Sequence, residues 1–63
     1  MEIRATTRYM AAQGPVVVCR DECGDYVVGV MTNDGVIDLD MPRYYRLAEA
    51  DRAITENPNF KRM

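Results

Sequence analysis

Two cysteines four residues apart are the first candidates for chemistry in this sequence. Cys19 and Cys23 are the only cysteines of the 63-residue chain, which contains no histidine. Both thiolates could reach a zinc ion at about 2.3 Å, but zinc takes four ligands, and the others would have to be carboxylates such as Asp21 or Asp25, or come from a second copy. We therefore expect no metal and no cofactor. Cys19 is predicted to be a small core residue and Cys23 an exposed turn residue.

Neither thiol has the surroundings of a catalytic nucleophile. A reactive cysteine needs a base or a cation to hold it as the thiolate, and Arg20 is the only cation nearby, among several acids. Without histidine there is no catalytic triad and no proton shuttle near neutral pH. The four glycines are isolated and do not form a phosphate-binding loop. The sequence predicts that the protein is not an enzyme.

Acidic side chains are concentrated in the middle of the chain. Residues 20–40 contain six acids against Arg20 alone, a net charge of −5, whereas the whole chain carries −2. The six are Asp21, Glu22, Asp25, Asp34, Asp38 and Asp40. Paired carboxylates do acid–base work only in a cleft that splits their pKa values, and calcium loops have denser oxygen spacing. We interpret the block as a solvated surface that can meet a basic partner.

A tyrosine–arginine pair is a second candidate for recognition, because both residue types are enriched at interface hot spots. Tyr44 belongs to a predicted core stripe, so Tyr45 is the tyrosine expected to be exposed, with Arg46 and Arg52 nearby. The predicted partner-binding residues are Asp21, Glu22, Asp25, Asp38, Tyr45 and Arg46.

A β-hairpin is predicted to carry the first part of this surface. Residues 15–20 and 26–31 are β-branched and aromatic runs of strand length, separated by residues 21–25. If Cys23 and Gly24 form a tight turn, Cys19 lies opposite Val28, and Val17 lies opposite Val30. Both faces of the hairpin are then apolar, so it should be central in its sheet or covered on both sides.

A third strand and a helix follow the hairpin. A turn at Gly35 leads into residues 36–40, which alternate so that Ile37 and Leu39 should face inward. Asp40 is predicted to cap a helix over residues 41–57.

The predicted helix has an apolar stripe of Tyr44, Leu47, Ala48 and Ile54. Pro58 stops it. Residues 58–63 are predicted to be a tail, in which Phe60 can fold back onto the core.

The first fourteen residues allow two interpretations. Ile3, Ala5, Thr7 and Tyr9 alternate with polar residues as in a half-buried strand, whereas residues 7–13 also fit a short helix ending at a glycine. We favour the strand, and the helix remains the alternative.

These elements predict one α+β domain over residues 1–63: a small antiparallel three- or four-stranded meander with one C-terminal helix packed on one face. The composition is globular, with 48% apolar and 29% charged residues. A chain this short has a thin core and exposed sheet edges, so a homodimer is a further prediction. No signal-peptide core or membrane span is apparent, which predicts a cytoplasmic protein with no membrane partner.

The hairpin also resembles a known family. Residues 16–30, an apolar run followed by Asp21-Glu22-x-Gly24-x-Tyr26-Val27-Val28, look like the opening hairpin of HicB-type antitoxin domains, which continue into a third strand and a helix. The resemblance covers about a quarter of the chain. The family's proline-rich stretch after the second strand and its Glu-Glu-Ala helix entry are missing here. The resemblance implies an antitoxin-like regulator as one alternative.

The expected function is a small non-catalytic protein-binding regulator or inhibitor, of the kind that phages and mobile elements encode. Its acidic surface would occupy a basic site on another protein, for example a nucleic-acid-binding one. One alternative is a nucleic-acid-binding or antitoxin-like regulator, and another is a structural or assembly subunit. Direct nucleic-acid binding is disfavoured by a pI of about 4.9. In the nucleic-acid-binding alternative, the contacts would come from a basic edge of Arg43, Arg46, Arg52, Lys61 and Arg62.

Overall fold

A computed structural model describes residues 2–63 of the chain as a five-stranded antiparallel sheet with one helix packed on it. The elements are β1 (Glu2–Ala11), β2 (Gly14–Arg20), β3 (Tyr26–Thr32), β4 (Gly35–Asp38), α1 (Leu47–Glu56) and β5 (Lys61–Arg62). The strand order is β4-β3-β2-β1-β5. The predicted α+β meander with a C-terminal helix is confirmed, with five strands instead of three or four.

The first segment is a strand, as favoured, but it is bent. Ile3 lies opposite Cys19 and Ala5 opposite Val18, so Arg4 has no partner of its own in β2. An unmatched residue in one strand is a β-bulge, which bends the strand and increases its twist. Because of it, Ile3 and Ala5 point to opposite faces of the sheet, although the sequence pattern had placed them on one face.

The predicted register of the β2–β3 hairpin is wrong by one residue. Cys19 lies opposite Val27, and Val17 lies opposite Gly29. The turn is wider than predicted because Asp21 and Asp25 also pair, through the Asp21 N–H and the Asp25 carbonyl at 3.0 Å. Gly24, at φ +86°, takes the left-handed conformation that ends such three-residue loops. The shift moves every β3 side chain to the other face of the sheet.

The main core lies between the sheet and α1, on what we call the helix-covered face. Its fully buried members are Val16, Val18, Val28, Val30, Ala50 and Ile54. Half-buried side chains surround them: Ala5, Tyr9, Tyr26, Leu39, Met41, Tyr44 and Phe60. The valines alternate along β2 and β3, which makes this face apolar without interruption.

The opposite face of the hairpin is also apolar, as predicted. Val17, Cys19 and Val27 are at most 1% exposed, although α1 packs on the other side. Gly29, which lies opposite Val17, is also buried. A Cβ atom on Gly29 would lie 2.8 Å from Cγ1 of Val36, so only glycine fits there without a shift of β4.

The helix begins six residues later than predicted. Asp40 has a φ of +58°, in the left-handed region, whereas a residue that caps a helix has an extended backbone. Tyr44 then pairs with Tyr26 through two backbone hydrogen bonds of 2.8 and 2.9 Å. This bridge holds the chain outside the helix up to Arg46, the residue that precedes the first helical turn.

The predicted apolar stripe is only partly correct. Ala50 and Ile54 are the buried residues of α1, whereas Leu47 and Ala48 are exposed. Ile37 was predicted to face inward but is 48% exposed, because it lies in the edge strand β4 beyond the helix. Leu39 does pack on the core.

The predicted tail is a fifth strand. Tyr9 and Met10 of β1 pair with Arg62 and Lys61, respectively. Phe60 is half-buried and packs on the core, as the sequence allowed. Residues 61–63 therefore cover the end of β1 near Tyr9 and Met10 and leave the rest of its outer edge unpaired within the described residues.

Candidate functional site

One end of the sheet brings together five of the six acidic residues from the middle of the chain. We call this surface the acidic end: Asp21, Glu22, Asp25, Asp38 and Asp40. β3 begins at the β2–β3 turn, and β4 runs antiparallel to β3. The end of β4, where Asp38 lies opposite Gly29, is therefore near that turn. Asp34 lies in the β3–β4 turn, at the other end of the sheet.

Arg43 links the two halves of the acidic end. Its Nε atom is 3.4 Å from Oδ2 of Asp21, and its Nη1 atom is 3.1 Å from Oδ2 of Asp38. The sequence predicted Arg43 to lie in the helix and to belong to a basic edge. It did not indicate this contact, because the pairing depends on the non-helical path of residues 39–46. Arg43 carries one positive charge against their two negative charges, so it compensates half of the charge of Asp21 and Asp38.

The same two aspartates also fix local backbone. Oδ1 of Asp21 accepts hydrogen bonds from the Cys23 and Asp25 N–H groups at 3.0 and 2.9 Å. Oδ1 of Asp38 accepts one from the Asp40 N–H at 2.9 Å. These are Asx turns, in which a carboxylate replaces a backbone acceptor. Of the predicted binding residues, Asp21 and Asp38 therefore have structural roles.

Three carboxylates remain at the acidic end. Glu22, Asp25 and Asp40 have no ion-pair partner within residues 2–63. Glu22 and Asp40 are exposed, and Asp25 is half-buried. They give this end an uncompensated negative charge that a partner can meet.

Tyr45 is 83% exposed and lies at the same end of the sheet as these acids, since its neighbour Tyr44 pairs with Tyr26, which follows Asp25. The Tyr26–Tyr44 backbone bridge positions it, because Tyr26 begins β3 directly after the acidic turn. Arg46 follows, also exposed, and makes no side-chain cap to α1. The predicted site residues Tyr45 and Arg46 thus belong to the same end of the sheet as the acidic turn.

The cysteines occupy the predicted environments. Cys19 is fully buried in β2, and Cys23 is exposed in the turn. Burial raises the pKa of the Cys19 thiol, and the nearby Asp38 carboxylate acts in the same direction. In residues 2–63, no three side chains of the types that bind metals come together.

The arginines and the lysine of the predicted basic edge lie in separate places. Arg43 is paired with two aspartates, and Arg52 contacts Glu56 at 3.2 Å along α1. Lys61 and Arg62 lie on β5, at the sheet edge opposite β4. The described residues thus do not form the continuous basic surface that tracks a phosphate backbone.

In the described part of the chain, α1 is too short and too polar to cross a membrane, and no other helix is present. No protein-family model matches the chain, and no curated protein or solved structure is significantly similar to it.

Proposed function

We propose that this chain is a small non-catalytic protein-binding regulator, which presents the acidic end and Tyr45 to a basic site on a partner protein. The observation that carries the proposal is the 83% exposed Tyr45 at the same end of the sheet as three carboxylates that have no ion-pair partner among residues 2–63. A tyrosine offers a large contact area with few rotatable bonds, and tyrosines are frequent among residues that dominate binding energy.

The acidic end supports this proposal by its charge. Glu22, Asp25 and Asp40 would steer the chain towards a positive surface and favour the correct orientation on it. Such steering is screened by salt, because the Debye length falls to about 3 Å at 1 M ionic strength. Binding should therefore be faster and tighter at low salt.

The rigidity of the surface also supports it. Arg43 and the two Asx turns hold the acidic end, and the Tyr26–Tyr44 bridge holds the backbone next to Tyr45. A surface that is ordered before binding loses less entropy on association. Inhibition by occupying the functional site of a nucleic-acid-binding protein in the cytoplasm is the more specific form of the proposal.

The test is capture of the partner from the cytosol of the native host, at low and at high salt, with mass spectrometry of the bound proteins. The variants are Tyr45→Ala and the double change Glu22→Lys with Asp25→Lys, which leaves the structural Asp21 and Asp38 intact. We expect one dominant protein that is lost at high salt and with either variant. Asp34→Lys is the matched control, because it makes the same kind of charge change at the other end of the sheet.

Equal capture by all variants would contradict the proposal. Recovery of nucleic acid alone would favour the nucleic-acid-binding alternative, and a titration with oligonucleotides would then show a strongly salt-dependent affinity.

A further inference from the structure

Arg20 is the one cation in the acidic middle of the chain, and it lies at the acidic end. It is the last residue of β2 and lies opposite Tyr26, the first residue of β3. Its Cζ atom is 5.9 Å from the centroid of the Tyr26 ring, within the range of a cation–π contact. A Cβ atom on Gly24 would lie 3.4 Å from Nη2 of Arg20, so the guanidinium also lies against the turn.

These contacts hold Arg20 without using its hydrogen-bond donors. Within residues 2–63, its side chain makes no ion pair and donates no hydrogen bond. Two neighbouring acids have other contacts, because Glu2 pairs with Arg4 at 2.7 Å and Asp21 pairs with Arg43. A guanidinium that stacks by its flat face keeps the N–H groups along its edge for a planar acceptor. Arg20 is therefore a positioned donor without an acceptor among the described residues.

An open depression beside Arg20 has room for such an acceptor. It has a volume of about 390 Å³ and is lined by Glu2, Arg20, Asp21 and Glu22. A free anion would be repelled, because three of these four side chains are acidic. A carboxylate on a positively charged surface would be attracted, because its basic neighbours meet the acids while it reaches the arginine. The lining therefore favours an acid that is surrounded by basic residues.

We propose that Arg20 binds a carboxylate of the partner, whose basic site then contains an aspartate or a glutamate among its lysines and arginines. This inference rests on the proposed function, which it makes more specific. A guanidinium and a carboxylate form two parallel hydrogen bonds, and such pairs are stronger than those between neutral groups. Arg20→Lys would keep the charge but lose the paired donors and the stacking.

Arg20 also excludes partners. A site that has only basic side chains would place a positive charge opposite Arg20, and like charges in contact are unfavourable at an interface. A repulsive contact of this kind gives specificity without stronger attraction to the correct partner. The acidic end would thus attract many basic proteins, and Arg20 would select among them.

The test uses two blocked peptides, each with four lysines around a central residue that is glutamate in one and glutamine in the other. Their dissociation constants are measured at low salt by NMR titration of the isotope-labelled protein. The wild type should bind the glutamate peptide about threefold more tightly, although it is the less positive one, because only it supplies an acceptor to Arg20. The Nε–H resonance of Arg20 should shift with the glutamate peptide alone.

Arg20→Gln should reverse this preference, because a surface without the cation favours the more positive glutamine peptide. Arg20→Lys should reduce the preference, since an ammonium group cannot form the paired hydrogen bonds. Arg52→Gln is the matched control, because it removes an exposed arginine of α1 and should keep the wild-type preference. Thermal melting confirms that each variant is folded.

Two results would overturn the role of Arg20 and leave the acidic end as a site for basic proteins. One is equal or tighter binding of the glutamine peptide by the wild type, and the other is a glutamate preference that survives Arg20→Gln. If neither peptide binds at millimolar concentration, both the role of Arg20 and the proposed function are wrong.

Discussion

Asp21 is the residue on which most of the local geometry at the acidic end depends. One carboxylate oxygen accepts two backbone N–H groups in the turn, and the other faces Arg43. The side chain is only 19% exposed. An acid that the sequence suggested for partner binding is therefore mainly a turn-forming residue.

Replacing this side chain separates its two roles. Asp21→Ala should lower the free energy of unfolding by about 1 kcal/mol, because two backbone N–H groups lose their acceptor. Asp21→Asn keeps the oxygen that accepts them and loses only the ion pair with Arg43, which is half exposed, so its loss should be smaller. Urea denaturation followed by circular dichroism measures both.

Glu22→Ala is the control in the same turn, since Glu22 is exposed and its side chain makes no hydrogen bond within residues 2–63. It should change stability by less than about 0.5 kcal/mol. Equal losses for the alanine and asparagine variants of Asp21 would show that the ion pair, and not the turn, matters.

Among the elements, α1 begins without a side-chain cap. Arg46 occupies the position before the first helical turn and makes no capping hydrogen bond, and its positive charge lies at the positive end of the helix dipole. Glu49, three residues later, is already suited to the second half of a capping box.

Arg46→Ser should therefore stabilise the protein. The serine hydroxyl can accept the Glu49 N–H, and the Glu49 carboxylate can accept the backbone N–H of residue 46. We expect a gain of about 1 kcal/mol, seen as a higher melting temperature. Arg46→Ala is the matched control, because it removes the same charge without supplying a cap. A serine variant no more stable than the alanine variant would contradict this expectation.

Local patterns in the sequence predicted which segments form strands but not how they align. Continuous runs of β-branched and aromatic residues identified β2 and β3, and the period-two pattern favoured β1. The predicted register was wrong because the turn after Asp21 has three residues and not two. This difference of one residue moves the side chains of β3 to the other face of the sheet. The helix start was misplaced because Asp40 fits a helix cap as well as an Asx turn, and only the distant Tyr26 decides between them.

The candidate site was predicted residue by residue but not in its arrangement. The sequence identified Glu22, Tyr45 and Arg46 as surface residues, since charge and aromatic character are visible in it. It did not indicate that Arg43 would pair with both Asp21 and Asp38, because that contact joins a turn, a strand end and the segment before α1. Long-range contacts of this kind have no local signature.

In the whole molecule, Phe60 connects the C-terminal segment to the core by packing on it. It packs on the core between the end of α1 and β5, whereas both side chains of β5 are exposed. The apolar contact of Phe60 should thus stabilise the attachment of β5 to β1 more than the two residue pairs between these strands do.

Two changes compare these contributions. Phe60→Ala should destabilise the protein by about 2 kcal/mol, less than a fully buried phenylalanine would, because the side chain is half-buried. Removal of residues 61–63 should cost less. Thermal melting of both variants tests this, with Phe60→Leu as a milder change if the alanine variant does not fold. A truncation that costs more than either Phe60 variant would assign the stability to β5 instead.

The pairing of β1 with β5 also has a consequence for the rate of folding. The β2–β3 hairpin joins neighbours in the chain, whereas the contact of Tyr9 with Arg62 spans about fifty residues. Closing a loop of that length has a larger entropic cost, and contacts between distant residues slow folding. During synthesis on the ribosome, the central strands can therefore pair early, but β1 keeps an open edge along its whole length until residues 61 and 62 have emerged.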